Sequence, residues 1–206
     1  MKTEKAAAAF LGVSLFAASS GLTNAYLTEH PKALVNLISS GSVDVELTEP
    51  SWQPENALGL VPGSVVPKNP TATNTGKSDA WIFLRVSVPV KCISVVNPQT
   101  HRKEPPADIG IFSFIAAEGW ERIAAERTAD SINFIYGYRE LVKPGEKTAP
   151  LFESVTLVNY LEGELTASDI LQIPVEAIAV QDHVCESGAA LTEIYEVYLA
   201  EESGNI

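Results

Sequence analysis

The sequence has few of the residues that ligate metals or carry out catalysis. Among its 206 residues are three histidines, His30, His101 and His183, and two cysteines. No histidine is followed by another at the fourth position, and no His-Glu-x-x-His zinc motif occurs. A Gly-x-Ser-x-Gly nucleophile turn, a glycine-rich phosphate loop and an Asp-rich calcium loop are also absent. The sequence therefore predicts no cofactor, no metal site and no catalytic residue.

Positive charge is also scarce. The chain has 14 lysines and arginines against 26 aspartates and glutamates, which gives a net charge of −12. The phosphates of nucleic acids and anionic membrane surfaces repel such an acidic chain. We therefore expect no nucleic-acid partner.

Long hydrophobic runs are missing as well. The apolar run at residues 6–18 is shorter than the about 20 residues that a membrane-spanning helix needs. It follows two lysines and precedes the small residues Thr23 and Ala25, an arrangement typical of a secretory signal peptide. We predict that a signal peptidase removes residues 1–25 by cutting between Ala25 and Tyr26. The mature protein is then expected to have no membrane span and to be secreted, in the extracellular matrix or at the cell surface.

The two cysteines allow one disulfide. A bond between Cys92 and Cys185 would close a loop of about 90 residues, worth roughly 4–5 kcal/mol in the chain-entropy model. The oxidising compartment outside the cell favours this bond. The alternative is two unpaired thiols that are buried as small hydrophobic groups.

What the sequence does contain is a series of short strand patterns separated by turns. Strands are predicted at residues 43–47, 80–90, 109–115, 120–123, 131–138, 151–158 and 171–180. Residues 109–115 and 120–123 are interpreted as a hairpin. Apolar residues at helical spacing between 190 and 199 predict an amphipathic helix. We therefore predict that residues 26–206 form one all-β domain, an antiparallel, jelly-roll-like β-sandwich with one C-terminal amphipathic helix.

Residues 61–83 are the most informative stretch. Pro62-Gly63 favours a type II turn, because proline presets the first φ and glycine supplies a positive second φ. The backbone is then predicted to be extended over residues 65–73, to be interrupted at 74–76 and to start a new strand at Ala80. We interpret the stretch as two antiparallel strands of an extracellular sandwich.

Several short segments occur in an order that is more specific than any one of them. They are the Ala25-Tyr26 junction, residues 42–52 (SVDVELTEPSW), 61–63 (VPG), 67–70 (PKNP), 73–76 (TNTG), 79–80 (DA) and 141–152 (LVKPGEKTAPLF). Together they resemble the TasA/camelysin family. The members of this family are secreted proteins of Gram-positive bacteria, and the dedicated signal peptidase SipW processes their leaders.

The resemblance implies a jelly-roll domain that serves as a structural subunit of extracellular fibres in a biofilm matrix. It also implies self-association by donor-strand exchange, in which the N-terminal strand of one subunit completes the sheet of the next. An anchor or accessory matrix protein is a further possible partner. The candidate donor is residues 26–38, with the apolar side chains of Tyr26, Leu27, Ala33, Val35 and Leu37.

Other interpretations of the same segment and of the same family stay open. Pro31 has no amide hydrogen, which restricts its part of the donor to an edge or a bend, and residues 32–38 also fit a short helix. The segment would then be an ordinary part of a monomer. The camelysin branch implies a cell-surface metalloprotease instead. A secreted adhesion or binding module would contact its partner through the loops at residues 52–60 and 97–107.

Overall fold

Antiparallel strands are the main regular structure, as the sequence predicts. The computed structural model describes residues 43–57, 60–97, 99–165, 173–182 and 188–204. All of them belong to one compact unit, Ala33–Ile206. The strands are β1 (Val45–Thr48), β2 (Val65–Pro67), β3 (Thr71–Asn74), β4 (Ala80–Ile93), β5 (Ala107–Gly110), β6 (Phe112–Phe114), β7 (Trp120–Arg127), β8 (Ser131–Tyr138), β9 (Ser154–Leu157) and β10 (Val175–Gln181). A 3-10 turn spans Pro54–Ala57, and the helix α1 spans Leu191–Glu202.

These strands form three antiparallel sheets. The main sheet has the order β10-β4-β8-β7, and β5 also pairs with β4. The small sheet has the order β2-β9-β6, and β1 pairs with β3 alone. The predicted fold class, an all-β antiparallel sandwich with one C-terminal helix, is confirmed.

Strand β4 pairs with three other strands along its 14 residues. Its Ser87 N–H donates to Pro174 O at 3.0 Å, and Pro89 O accepts from Ile111 N–H at 2.9 Å. Residues two apart in a strand present their polar groups to the same edge, so β10 and β5 follow each other along one edge of β4. The other edge pairs with β8. Pro89 lies where β10 gives way to β5, and such a junction tolerates its missing amide hydrogen.

The inner face of the main sheet packs against the small sheet and the β1–β3 pair. Alternate residues of β4 point to this side, and Ile82 and Leu84 are fully buried there. Val66 and Leu157 come from the small sheet into the same core. The period of two along β4 therefore places alternate residues in this core.

The outer face of the main sheet is buried as well, because α1 covers it. Phe83 and Ile178 form a second hydrophobic cluster with Ile194, Tyr195 and Tyr198 of the helix. The ring centroids of Phe83 and Tyr195 are 5.3 Å apart. The predicted helix is confirmed, and its apolar side adds a third layer to the sandwich.

A group of polar side chains joins α1 to the main sheet. Arg85 Nη1 lies 3.0 Å from Glu176 Oε2, and Arg85 Nη2 donates to the Tyr195 hydroxyl at 3.2 Å. The Tyr198 hydroxyl is buried, and no hydrogen-bond partner for it is found within the described residues. Burial, and secondly the charge of Glu202, raise the pKa of Tyr198 to about 12.

The predicted hairpin at residues 109–115 and 120–123 is wrong. β5 pairs with β4, β6 with β9 and β7 with β8. The strands on the two sides of Glu118-Gly119 therefore belong to different sheets. Their apolar pattern identifies them as strands, but it does not specify which strands they pair with.

The strands within residues 61–83 do not pair with each other either. β2 belongs to the small sheet, β3 pairs with β1, and β4 is part of the main sheet. The type II turn itself is confirmed, because Gly63 has a φ of 80° and Ser64 N–H donates to Val61 O at 3.0 Å. The stretch therefore connects all three sheets.

A buried asparagine joins the end of β3 to a second Pro-Gly turn, at Pro144-Gly145. Asn74 Nδ2 donates to Ser78 O at 2.9 Å and to Val142 O at 2.8 Å, and Asn74 Oδ1 accepts from Gly76 N–H at 2.9 Å. Its backbone N–H donates to Glu146 O at 3.0 Å. The side chain is fully buried, and each of its three hydrogen bonds satisfies a backbone group. Two of the segments that carry the family resemblance therefore meet at this residue.

We predict that Asn74→Ala lowers the free energy of unfolding by about 3 kcal/mol, because it leaves buried backbone groups without partners. The matched control is Asn97→Ala. Asn97 makes a comparable set of bonds, to Gln99, Thr100 and Glu104, in an exposed loop. There water replaces the lost bonds, and we expect a cost below about 1 kcal/mol. Urea unfolding measures both variants, and equal losses would contradict the role of burial.

The two tyrosines of α1 should respond differently to loss of the hydroxyl. At pH 7 Tyr198→Phe should leave stability unchanged or slightly raised, whereas Tyr195→Phe should cost about 1 kcal/mol because Arg85 loses a partner.

Above pH 10 the unfolded chain releases the Tyr198 proton while the native state holds it up to about pH 12. Wild-type stability therefore falls over this range, and Tyr198→Phe should remove part of the fall. Urea titrations at several pH values measure this, and identical pH profiles for wild type and Tyr198→Phe would contradict it.

Candidate functional site

The small sheet ends at β2, an exposed strand edge that carries no charge. Ser64 O accepts from Leu157 N–H of β9 at 2.8 Å, and Lys68 N–H donates to Glu153 O, just before β9, at 3.1 Å. By alternation, the N–H and C=O of Val65 and the C=O of Pro67 point away from β9. No hydrogen bond to these groups is found within the described part of the chain. Val65 is also 62% exposed.

The exposed edge of the main sheet at β7 is different, because it has features that prevent further pairing. The register between β7 and β8 shifts between Arg122 and Ala124, which marks a β-bulge. Charged side chains are exposed along the strand at Glu121, Arg122, Glu126 and Arg127. Bulges and charges are the usual protection of an edge strand against other strands. β2 has neither, and only its short length and Pro67 limit pairing there.

An ion pair holds the C-terminal end of β2 in place. Lys68 is buried, and its Nζ lies 2.7 Å from both carboxylate oxygens of Glu49. The same ammonium lies 5.1 Å from the ring centroid of Trp52, in a cation–π contact. Ser51 N–H donates to Asn69 Oδ1 at 2.7 Å. Two further segments of the family resemblance, residues 42–52 and 67–70, are therefore in direct contact and act as scaffold for the edge.

Neither β2 nor Lys68 was identified as functional from the sequence. A lone lysine directly after the apolar residues 65–67 is the available signal for a buried ion pair. No local signal marks Val65 as an edge residue, because the edge is defined only once the register with β9 is known.

The predicted donor lies outside the described residues. This applies to the cleavage site at Ala25 and Tyr26 and to the whole segment 26–38 with Tyr26, Leu27, Ala33, Val35 and Leu37. These assignments stay predictions.

The predicted disulfide also stays a prediction. Cys92 lies near the end of β4 and is exposed. Cys185 is not among the described residues.

The loop predicted as a binding surface at residues 97–107 is organised by its own hydrogen bonds. Asn97 Oδ1 accepts from the N–H groups of Gln99 and Thr100, both at 3.0 Å. Asn97 Nδ2 donates to Glu104 Oε1 at 2.8 Å. In the other loop, 52–60, Trp52 is half-buried and engaged with Lys68, and residues 58 and 59 are not described.

The described residues contain no group of three or more His, Cys, Asp or Glu side chains that could hold a metal ion. In the same part of the chain, no helix is long and apolar enough to cross a membrane.

Comparisons with known proteins give no relative. No family model, no curated protein and no solved structure matches the chain. The function is therefore argued from the residues and from the geometry of the strand edges.

We predict that Glu49→Gln lowers the free energy of unfolding by about 2 kcal/mol, because the buried Lys68 ammonium loses its counter-charge. The control is Glu121→Gln. Glu121 lies 3.5 Å from Arg139, and the two side chains are 51% and 54% exposed. Loss of such a surface pair should change stability by less than about 0.5 kcal/mol. Chemical denaturation compares the two, and equal effects would show that the Lys68 pair does not stabilise the edge.

Proposed function

We propose that the protein is a secreted structural subunit of extracellular fibres, as in a biofilm matrix, and that it assembles by donating an N-terminal strand to the next subunit. The signal-peptide pattern at residues 1–25 and the family resemblance support secretion and assembly. The observation that carries the proposal is the uncharged, unpaired edge of β2. Such an edge is a site where an extended segment adds a strand.

The edge can bond an incoming strand through three backbone groups. Val65 provides an N–H and a C=O, and Pro67 provides a C=O. Main-chain bonds of this kind supply affinity, and the alternating side chains of the incoming strand supply specificity. Residues 33–38 of another subunit are mostly apolar, and as a strand they would carry Ala33, Val35 and Leu37 on one face. Since β2 spans only three residues, the incoming ladder is short and Pro31 can lie beyond it.

The stable position of β2 supports the same proposal. A strand that receives a partner must itself be held in place before the partner arrives, because ordering it during binding would cost affinity. Lys68 with Glu49 holds one end of β2, and the Pro62-Gly63 turn holds the other. The edge is therefore pre-organised.

A cell-surface metalloprotease and an adhesion module remain alternative proposals. Neither has a specific supporting observation in the described residues, which offer no metal-ion cluster and present the 97–107 loop as a self-bonded turn. Casein degradation that chelators abolish would favour the protease instead.

The test removes one backbone hydrogen-bond donor from the exposed edge of β2 without disturbing the small sheet. Val65→Pro deletes the outward N–H and breaks no bond to β9, so we expect the monomer to unfold at the same temperature as the wild type. It should strongly reduce fibre formation by the secreted protein, seen by electron microscopy. Val65→Ile keeps the N–H and a β-branched side chain, and it should form fibres normally.

Two outcomes would contradict the proposal. One is fibre formation by Val65→Pro at the wild-type rate. The other is a wild-type protein that begins at Tyr26 by N-terminal sequencing and stays monomeric at high concentration.

A further inference from the structure

We propose that the outer face of the small sheet is a contact surface for a second copy of this chain. This contact differs from strand donation, because it uses side chains on the face of the sheet instead of backbone groups at its edge. The neutral face, as we call it, consists of Val65, Pro67, Ser113, Ile115, Ser154 and Thr156.

The register of the small sheet brings these six residues together. Val65 pairs with Thr156, and Thr156 pairs with Ser113, so these three form one row across the sheet. Pro67 pairs with Ser154 in the next row. Their neighbours Val66, Val155 and Phe112 point the other way and are buried in the core. The rows therefore face outward, and Ile115, directly after β6, is 89% exposed beside them.

The neutral face contrasts with the rest of an acidic molecule. None of its six residues is charged, whereas the chain as a whole carries a net charge of −12. The exposed side of α1 carries Glu193, Glu196, Glu201 and Glu202, and the edge at β7 carries four charged residues. Glu153 directly precedes β9, so carboxylates border the neutral face without forming part of it.

Charge identifies the occupant as a second copy. Two molecules of this chain repel each other, so they approach closely only through surfaces free of carboxylates. A basic partner would be drawn to the acidic side of α1 instead. The neutral face of another copy is free of charge in the same way, and a two-fold arrangement lets the same residues meet on both sides. Burial of the exposed Ile115 and Val65 side chains favours this contact.

The size of the neutral face predicts a weak contact. Strands lie about 4.8 Å apart and alternate residues about 7 Å apart, so the face covers on the order of 200 Å². Stable interfaces bury about 800 Å² on each partner. A single contact would therefore be transient, and it would gain strength where many copies are aligned, by multivalency.

Photo-crosslinking of the purified protein tests this proposal. A benzophenone amino acid replaces Ser113 on the neutral face, or Ala125 on β7 as the matched exposed control. We expect concentration-dependent dimers from position 113 at a yield several-fold above position 125. Adding Ile115→Glu should lower the yield to the control level, because it brings two carboxylates together. Ile115→Gln keeps the face uncharged and should retain more of the yield, and added salt should partly restore Ile115→Glu.

Equal yields at positions 113 and 125, or a yield at 113 that Ile115→Glu leaves unchanged, would overturn the proposal. Fibre formation by the wild-type protein, scored by electron microscopy beside the crosslinks, separates it from the proposed function. Wild-type protein that crosslinks from position 113 but forms no fibres supports the neutral face, whereas strand donation then fails. Wild-type fibres without crosslinks from position 113 leave strand donation standing and refute the neutral face.

Discussion

Burial of β4 on both faces is the constraint on which the rest of the structure depends. Its inner face needs the small sheet, and its outer face needs α1, because Ile82 and Phe83 point to opposite sides and both are fully buried. Both of its edges are taken up by β10, β5 and β8. The centre of the molecule is therefore closed to new partners, and any strand exchange has to occur at the periphery.

At the periphery the exposed edges of β7 and β2 differ. The edge at β7 has a bulge and charged side chains, which are the devices that keep soluble sheets from pairing. β2 lacks both and is held in place by the Lys68–Glu49 pair and the Pro62-Gly63 turn. An edge that is rigid, uncharged and open is a hazard in a monomer and an advantage in a subunit. The proposed assembly explains this difference between the two edges.

Much of the fold could be predicted from the sequence, whereas the pairing of strands could not. Alternation marks β4 and β8, and helical spacing marks α1, because burial imposes a period on each. The hairpin was predicted wrongly because β6 pairs with β9, which follows it by 40 or more residues in the chain. The same limit applies to the candidate site. Pro67 hints at an edge strand, but the open backbone groups of Val65 and the neutral face follow only from the register.

Amide hydrogen exchange at Val65 tests the central claim most directly. In the unassembled protein the outward N–H of Val65 should exchange fast, as should that of Ala125 on the outer edge of β7. In fibres the account predicts strong protection of Val65 and none of Ala125, because an incoming strand bonds only to β2. A Val65 amide that exchanges as fast in fibres as in the monomer would contradict the account.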